Sequence, residues 1–419
     1  MGGEKIGVNM NVAQQTAVDP METASALSAR FAYGAGERDR EWRFPHEQLA
    51  ELKRSDLARF FVPREEGGLS GSVADFIRIT AILAKGDSNI AQMYVVHAYC
   101  TYITVVECEQ TRVIADEEMR RYWQRRIVAD GLFFTNAYSE RGTKTVFEYK
   151  TTIRPTPEGD WTLNGTKFYC TGSLAGDVIA VVCVPEGEDR EEQTDLGDIR
   201  FAFVDSDSEG VTIRDDWLGM GQRTTASGTI EFTNVFVPGS HCYRTEAMAV
   251  PESIFAPLAQ GGFTAIYVGI AAAALDAAVE YVKDKSRPWP HSGVERAAED
   301  PYVLQHVGQM RAMVSSAEAT LERAATVVED FEASPSGAAR ARAAIAIAEA
   351  KAVATEVSLR VAEMLFQICG AGAAIDQYNL SRFWRDARTL TLHDPIDYKY
   401  RLIGDYVLND VLPPVTGYT

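Results

Sequence analysis

Histidine and cysteine are both scarce in this 419-residue chain, at six residues each. Neither set is spaced to hold a metal. There is no HExxH and no CxxC pair, so no metal centre is expected. Most of the cysteines, Cys100, Cys108, Cys170, Cys183, Cys242 and Cys369, sit in apolar contexts such as VVCV and QICG and read as small core residues. A reduced, cytoplasmic setting is the matching expectation. Basic charge is also short: 41 Lys and Arg against 59 Asp and Glu give a net charge of -18. A nucleic-acid partner would need a basic face, and an anionic membrane surface would repel the chain. An anionic cofactor in a local pocket stays compatible with that balance. The first twenty residues hold no apolar run, so no signal peptide is expected. The most apolar stretch, near 266–274, reads as too short and alanine-rich to cross a bilayer. Nucleotide motifs are missing as well. GMGQRT at 219–224 lacks the third glycine of GxGxxG and its strand–helix context, and there is neither a P-loop nor a GxSxG elbow.

What is present is an ordinary globular composition, 46% hydrophobic and 24% charged, in a chain long enough for two to three packed domains. Residues 1–20 read as a loose tail. Residues 21–130 follow helical spacing, with Leu49, Leu52, Leu57 and Phe60 before the punctuation VPREEGG, then a helix from Val73 to about Gly86. An apolar helix, QMYVVHAYCTYITVVE, comes next. Residues 131–250 read as strands. Asn164-Gly165 suits a type I′ hairpin turn, VIAVVCV a buried strand, residues 186–198 a solvated acidic loop, and Thr233-Asn234 a bulge. Residues 251–419 are helical again, with long segments at 258–285, 302–331 and 338–368. In the last, Arg342, Glu349, Glu356, Arg360 and Glu363 form one narrow polar stripe, the mark of a mostly buried helix in a bundle core or subunit contact.

Chemistry-bearing residues fall in three places. In SRFWRDARTLTLHDPIDYKY at 381–400, Pro395 disfavours the α conformation at Asp394. The helix is therefore expected to stop there, with His393 and Asp394 at a C-terminus that favours a protonated imidazole. A surface turn with Asp394 paired to an arginine is the alternative. In FFTNAYSERGT and KFYCTGS, the Asn136, Ser139, Thr171 and Ser173 side chains and neighbouring N–H groups suit a planar heteroaromatic edge, or else ordinary turn capping. His97 lies inside an apolar helix, where a satisfied core histidine is the commoner finding.

The α–β–α order resembles the acyl-CoA dehydrogenase fold. GAGERDREWRFP, VPREEGG, NAYSERG, TKFYCTGS, DDWLGMGQRTTASGT, SRPW and FWRDARTLTLHDPIDYKY resemble one branch of it more closely. That branch is the flavin-dependent monooxygenases of the dibenzothiophene-desulfurisation type and their sulfur-acquisition relatives. The resemblance implies an α+β chain with an N-terminal helical domain, a central β-barrel or sandwich and a C-terminal four-helix bundle, assembled as a homotetramer. It implies a separate flavin reductase that supplies reduced FMN or FAD, and a C4a-peroxyflavin that oxygenates a small organosulfur or related heteroatom substrate. Asn136, Ser139, Tyr169, Thr171 and Ser173 would face the flavin or the oxygen. His393 and His97 would lie on the substrate side, His393 protonating or holding the distal oxygen while Asp394 orients it or pairs with an arginine. Arg287 would reach a flavin pyrophosphate from a neighbouring subunit, and Gln367, Gly370 and Gly372 would meet an FAD adenylate. Asp386 and Leu390 depart from the branch's pattern. Two competing readings are an acyl-CoA dehydrogenase or oxidase with Asp394 as base, and a non-catalytic flavin carrier.

Overall fold

The structure is a computed structural model describing residues 19–106, 108–143, 148–187 and 199–419. Asp19 starts the first helix, α1 (Pro20–Ala32), by accepting the Met21 N–H, and Pro20 occupies the first turn, where its missing N–H costs nothing. Helices α2 (Ala35–Glu41) and α3 (His46–Arg54) lead to α4 (Val73–Gly86), capped by Ser72. Asp87 ends α4 and caps α5 (Ser88–Val105) through the Asn89 N–H. Helix α5 is buried on nearly every face, so its apolar residues cover all sides instead of forming a stripe. Helix α6 (Glu117–Ala129) closes the layer.

Among the described residues eight strands follow: β1 (Phe134–Ala137), β2 (Thr152–Pro155), β3 (Trp161–Lys167), β4 (Val178–Pro185), β5 (Arg200–Asp205), β6 (Val211–Ile213), β7 (Ile230–Val237) and β8 (Cys242–Arg244). The order is β6-β7-β3-β2-β4-β5-β8, with β1 parallel to β4. The sheet packs one face on a small core that includes Ile153, Leu163, Ile179, Val181 and Val235. Its other face joins the main core through Phe134, Phe201 and Phe203. Two turn expectations resolve differently. The bulge at Thr233-Asn234 is present: the β3–β7 register slips between Leu163 and Gly165, and Asn234 is left-handed with φ 51°. Asn164-Gly165 is not a hairpin turn. Both lie within β3, where Asn164 Oδ1 accepts the Asn234 N–H and a Cβ at Gly165 would sit 2.4 Å from Thr151 Oγ1. The chain turns instead between β2 and β3, at residues 156–160. The expected acidic loop lies, from residue 188 to 198, outside the described residues.

The C-terminal layer has three long helices, α7 (Phe255–Asp284), α8 (Pro301–Ala333) and α9 (Gly337–Cys369), with α10 (Ser381–Leu390) and α11 (Ile396–Asn409). Helix α7 corrects the expectation of a short apolar stretch: by length and composition it could cross a membrane. However, 72% of its apolar window is buried inside the protein, so its hydrophobicity serves the core. Helix α9 is likewise a bundle-core helix, and Glu349 of its polar stripe pairs with Arg323 on α8. Helix α10 stops at Leu390, four residues earlier than Pro395 implies. Pro395 instead precedes α11 as its N-cap, so His393 and Asp394 occupy a turn between two helices.

Candidate functional site

One wall of the site forms where α5 meets β1 and the turn at 170–173. The Thr135 hydroxyl donates to the Thr171 carbonyl at 2.5 Å and fixes the turn on β1. The Thr171 hydroxyl lies 2.9 Å from Ser227 Oγ and receives an N–H of Gln92 at 3.4 Å. Gln92 Oε1 beside it, and Asn136 Oδ1 on β1 next to Tyr99 of α5, are buried with no hydrogen-bond partner among the described residues. An orphaned buried acceptor costs about 1–3 kcal/mol, so two at one seam mark a place that a ligand completes. An isoalloxazine edge carries an N–H donor beside ring acceptors, and carboxamides next to hydroxyls match that set. The residues present therefore fit a flavin.

Other parts of the expected wall are spent internally. The Ser173 hydroxyl is buried and donates to the Ala226 carbonyl at 2.8 Å, so it holds the loop instead of facing oxygen. The N–H groups of Cys170, Gly172 and Ser173 go to the Gly228, Thr225 and Cys170 carbonyls, which leaves none of the three for a ring edge. The Ser139 carbonyl accepts the Phe168 N–H at 2.9 Å. Tyr169, left-handed at φ 59° and 54% exposed, stands at the rim with its ring 5.9 Å from that of Trp217.

The second wall is the turn at 391–395. His393 lies against Phe263 of α7, ring centroids 4.4 Å apart, and 6.1 Å from the ring of Tyr418. The imidazole is packed on that side and exposed to solvent on the other. Desolvation by its neighbours lowers its pKa, and the Lys351 ammonium pushes the same way. The imidazole is thus neutral at pH 7, which corrects the expectation of a protonated ring at a helix C-terminus. Asp394 neither orients the ring nor meets an arginine. Its carboxylate forms ion pairs with Lys351 of α9 and Lys399 of α11, the latter at 3.0 Å, and Lys351 also donates to Gln260 Oε1 at 2.6 Å. Burial works to raise the Asp394 pKa, but the two ammonium groups prevail and hold the carboxyl below its ordinary value. The helices behind the two walls pack on each other: a Cβ at Gly262 of α7, beside Phe263, would lie 3.0 Å from Val95 of α5, one turn from Gln92.

His97 does not belong to either wall. Its Nε2 lies 2.6 Å from the Ala58 carbonyl and its Nδ1 accepts the Phe134 N–H at 3.0 Å, with the ring stacked on Phe133. Both nitrogens are committed to backbone, and burial brings the pKa down to about 4, so it is a core histidine and not a substrate-side residue. Arg287, Gln367, Gly370 and Gly372 gather at the far end of the bundle. Gly372 packs where a Cβ would meet the Tyr281 hydroxyl at 2.3 Å. Tyr281 is 21 residues along α7 from Gln260, or about 30 Å at 1.5 Å per residue. Within one chain these four residues do not share the site of His393.

Gln92, Gln260, Lys351 and Lys399 were not expected in the site. Lys351 had a signal: in the run AIAIAEAKAVA the other charge, Glu349, belongs to the polar stripe of α9, whereas Lys351 sits on the opposite, apolar face. Gln92 had none beyond its place one turn before an apolar helix centre.

Residues 136–235 match the model of the acyl-CoA dehydrogenase middle domain, and residues 262–398 that of the acyl-CoA dehydrogenase C-terminal domain. The dibenzothiophene monooxygenase of Rhodococcus qingshengii is 30% identical over 416 residues, covering 96% of this chain and 95% of the relative. The "Probable FMNH2-dependent monooxygenase SfnC" of Pseudomonas putida is 29% identical, covering 98% and 100%. The crystal structure of FMN-bound TdsC from Paenibacillus sp. A11-2 superposes with a TM-score of 0.87 at 32% identity, covering 96% of this chain and 100% of TdsC.

Proposed function

This chain belongs to the dibenzothiophene monooxygenase family of flavin-dependent monooxygenases, built on the acyl-CoA dehydrogenase fold, and from that premise we propose a two-component enzyme that uses reduced FMN and dioxygen to oxygenate a small organosulfur compound. Bound reduced FMN supplies the two electrons by which one oxygen atom enters the substrate and the other leaves as water.

The chain's own residues supply the rest. Gln92 and Asn136 offer buried acceptors to the flavin edge, and the Thr171 hydroxyl sits between them and the loop behind. Phe263 and Tyr418 pack beside the His393 ring and hold it in place. A neutral imidazole has one N–H donor and one lone-pair acceptor, so His393 can hydrogen-bond a developing oxyanion through its N–H and take up and pass on a proton at its other nitrogen. The observation that carries this reading is the contrast within the LHDP turn: the imidazole is exposed beside Phe263 while the adjacent carboxylate is buried and paired beneath it. The same contrast disfavours an acyl-CoA dehydrogenase. A base at this place must reach a substrate proton, and the Asp394 carboxylate is paired with two lysines.

The reading includes a flavin reductase partner, a homotetramer and a cytoplasmic setting. The tetramer is supported by an exposed apolar face on and after α11, with Tyr398, Val407, Leu408, Val411 and Leu412, and by Gly372 packing on Tyr281, about 30 Å along α7 from Gln260, which leaves that end of the bundle away from the turn of His393 within one chain. The cytoplasmic setting is supported by six cysteines that are all free.

The test is turnover with photoreduced FMN and oxygen across sulfides, sulfones, sulfinates, amines and acyl-CoA thioesters. Oxygenated sulfur product, in an amount matching the oxygen consumed, supports the proposal. Hydrogen peroxide alone with every compound, or oxidation of an acyl-CoA, overturns it.

A further inference from the structure

Asp386 is a buried carboxylate that plays no part in the chemistry above, yet it sits where three segments meet. From α10 its Oδ1 accepts the Gln222 N–H at 2.6 Å, and its Oδ2 accepts the Ser88 hydroxyl at 2.9 Å and the Asn89 amide at 3.3 Å, both at the start of α5. The loop it holds, residues 219–229, has no freedom to settle elsewhere. A Cβ at Gly221 would lie 2.1 Å from the Arg385 carbonyl, and the Gly221 N–H reaches Thr389 Oγ1 at 2.9 Å. Thr224 N–H reaches Asn89 Oδ1 at 3.0 Å. Gln222 and Ala226 are both left-handed, at φ 50° and 47°. Non-glycine residues in that region cost about 1–3 kcal/mol each and persist only where the surroundings force them.

From this loop a line of hydrogen bonds runs to the flavin wall, and its direction can be read. Thr225 donates to the Gln222 carbonyl at 2.9 Å, which uses its only proton. Ser227, 2.7 Å away, must then donate to Thr225, and Thr171, 2.9 Å from Ser227, must donate to Ser227. Thr171 is left with lone pairs only, one of which takes the Gln92 N–H. That bond turns the Gln92 carboxamide so that its oxygen faces away from Thr171.

We propose that Asp386 is a positioning residue for flavin binding: by fixing the Gln222 peptide it sets the direction of the hydroxyl line and so the face that Thr171 and Gln92 present to the flavin. The inference rests on the reading of that wall as the flavin wall. Asp386 touches no reacting atom. Its effect passes through Gln222, Thr225 and Ser227.

The test is the Kd of FMN, by quenching of flavin fluorescence, for the full-length protein and the variants Asp386→Ala, Asp386→Asn, Ser227→Ala, Asp386→Ala with Ser227→Ala, and Thr171→Val. Asp386→Ala is expected to weaken FMN at least tenfold and Ser227→Ala about threefold to tenfold, with the double variant no weaker than Asp386→Ala, because both act on one line. Asp386→Asn keeps an acceptor for Gln222 and is expected within threefold of the parent. Should Asp386→Ala not fold, Thr389→Val replaces it, with a partial loss that is again not multiplied by Ser227→Ala. Losses that multiply, or a weakening by Ser227→Ala that neither Asp386→Ala nor Thr389→Val shows, overturn the proposal. An Asp386→Ala protein that melts earlier but binds FMN normally overturns it too. Unchanged affinity in both Thr171→Val and Ser227→Ala would instead remove the flavin wall itself.

Discussion

Lys351 and Asp394 form an ion pair beneath the turn that carries His393, with only 2% and 8% of the two side chains exposed. The pair explains why two adjacent residues of one motif have different fates. Asp394 is drawn inward by Lys351 and Lys399, and its neighbour His393 is left exposed. Pairing rather than reactivity is the role of the carboxylate.

Removing Asp394 leaves two buried ammonium groups without their carboxylate, whereas removing Lys351 leaves Asp394 paired with Lys399. Asp394→Leu is expected to lower the unfolding free energy by about 3–5 kcal/mol and Lys351→Met by less. The double variant is expected to recover part of the Asp394→Leu loss, because only the Lys399 ammonium is then buried without its carboxylate. Urea unfolding of the three proteins gives the values, and equal losses in all three would rule out a direct pair.

His97 gives a second check. His97→Phe removes the partners of the Ala58 carbonyl and the Phe134 N–H, at about 1–3 kcal/mol for each group left unsatisfied. Stability is expected to fall while turnover per folded molecule stays within about threefold. A drop of 100-fold or more in kcat with unchanged stability would restore His97 to the active site.

Asp386 gives the pH dependence. Burial and the nearby Asp39 carboxylate push its pKa up from 3.8 to about 7, against the opposing pull of the Gln222 N–H and the Ser88 hydroxyl. The folded protein therefore holds this proton more tightly than the unfolded chain does. The group's contribution is fullest below about pH 4, falls as pH rises to about 7, and is level above. Relative to the parent, Asp386→Asn is expected to gain stability on the order of a few kcal/mol between pH 4 and pH 8. Denaturant melts at the two pH values measure the difference, and a constant gap would show that Asp386 is not strained by its charge.

Much of this was legible in the residues. The helices from Val73 and those of the bundle follow from apolar spacing and caps, and the bulge at Thr233-Asn234 from a break in alternation. The motifs of the LHDP turn and the TTASGT loop pointed to the right family. Four features were hidden, most of them because they depend on partners distant in sequence. Asn164-Gly165 has the chemistry of a hairpin turn, but contacts with Thr151 and Asn234 keep it inside a strand. Pro395 looks like a helix stop, yet it sits at the start of the next helix. The protonation of His393 could not be read from its helix end, because desolvation by its packed neighbours lowers its pKa most, and a lysine 42 residues earlier on another helix pushes the same way. Ser173 has the right residue type for a flavin contact, but its proton goes to Ala226 across the turn.

The central claim is that the His393 imidazole takes part in oxygen transfer beside the flavin wall. It is tested most directly by the ratio of oxygenated sulfur product to hydrogen peroxide, measured with excess reduced FMN and oxygen for the parent and for His393→Ala. The account predicts that the parent directs most of the oxygen into product, whereas His393→Ala loses product formation by about 100-fold or more and releases peroxide, with FMN affinity within twofold of the parent. Equal ratios in the two proteins would contradict it.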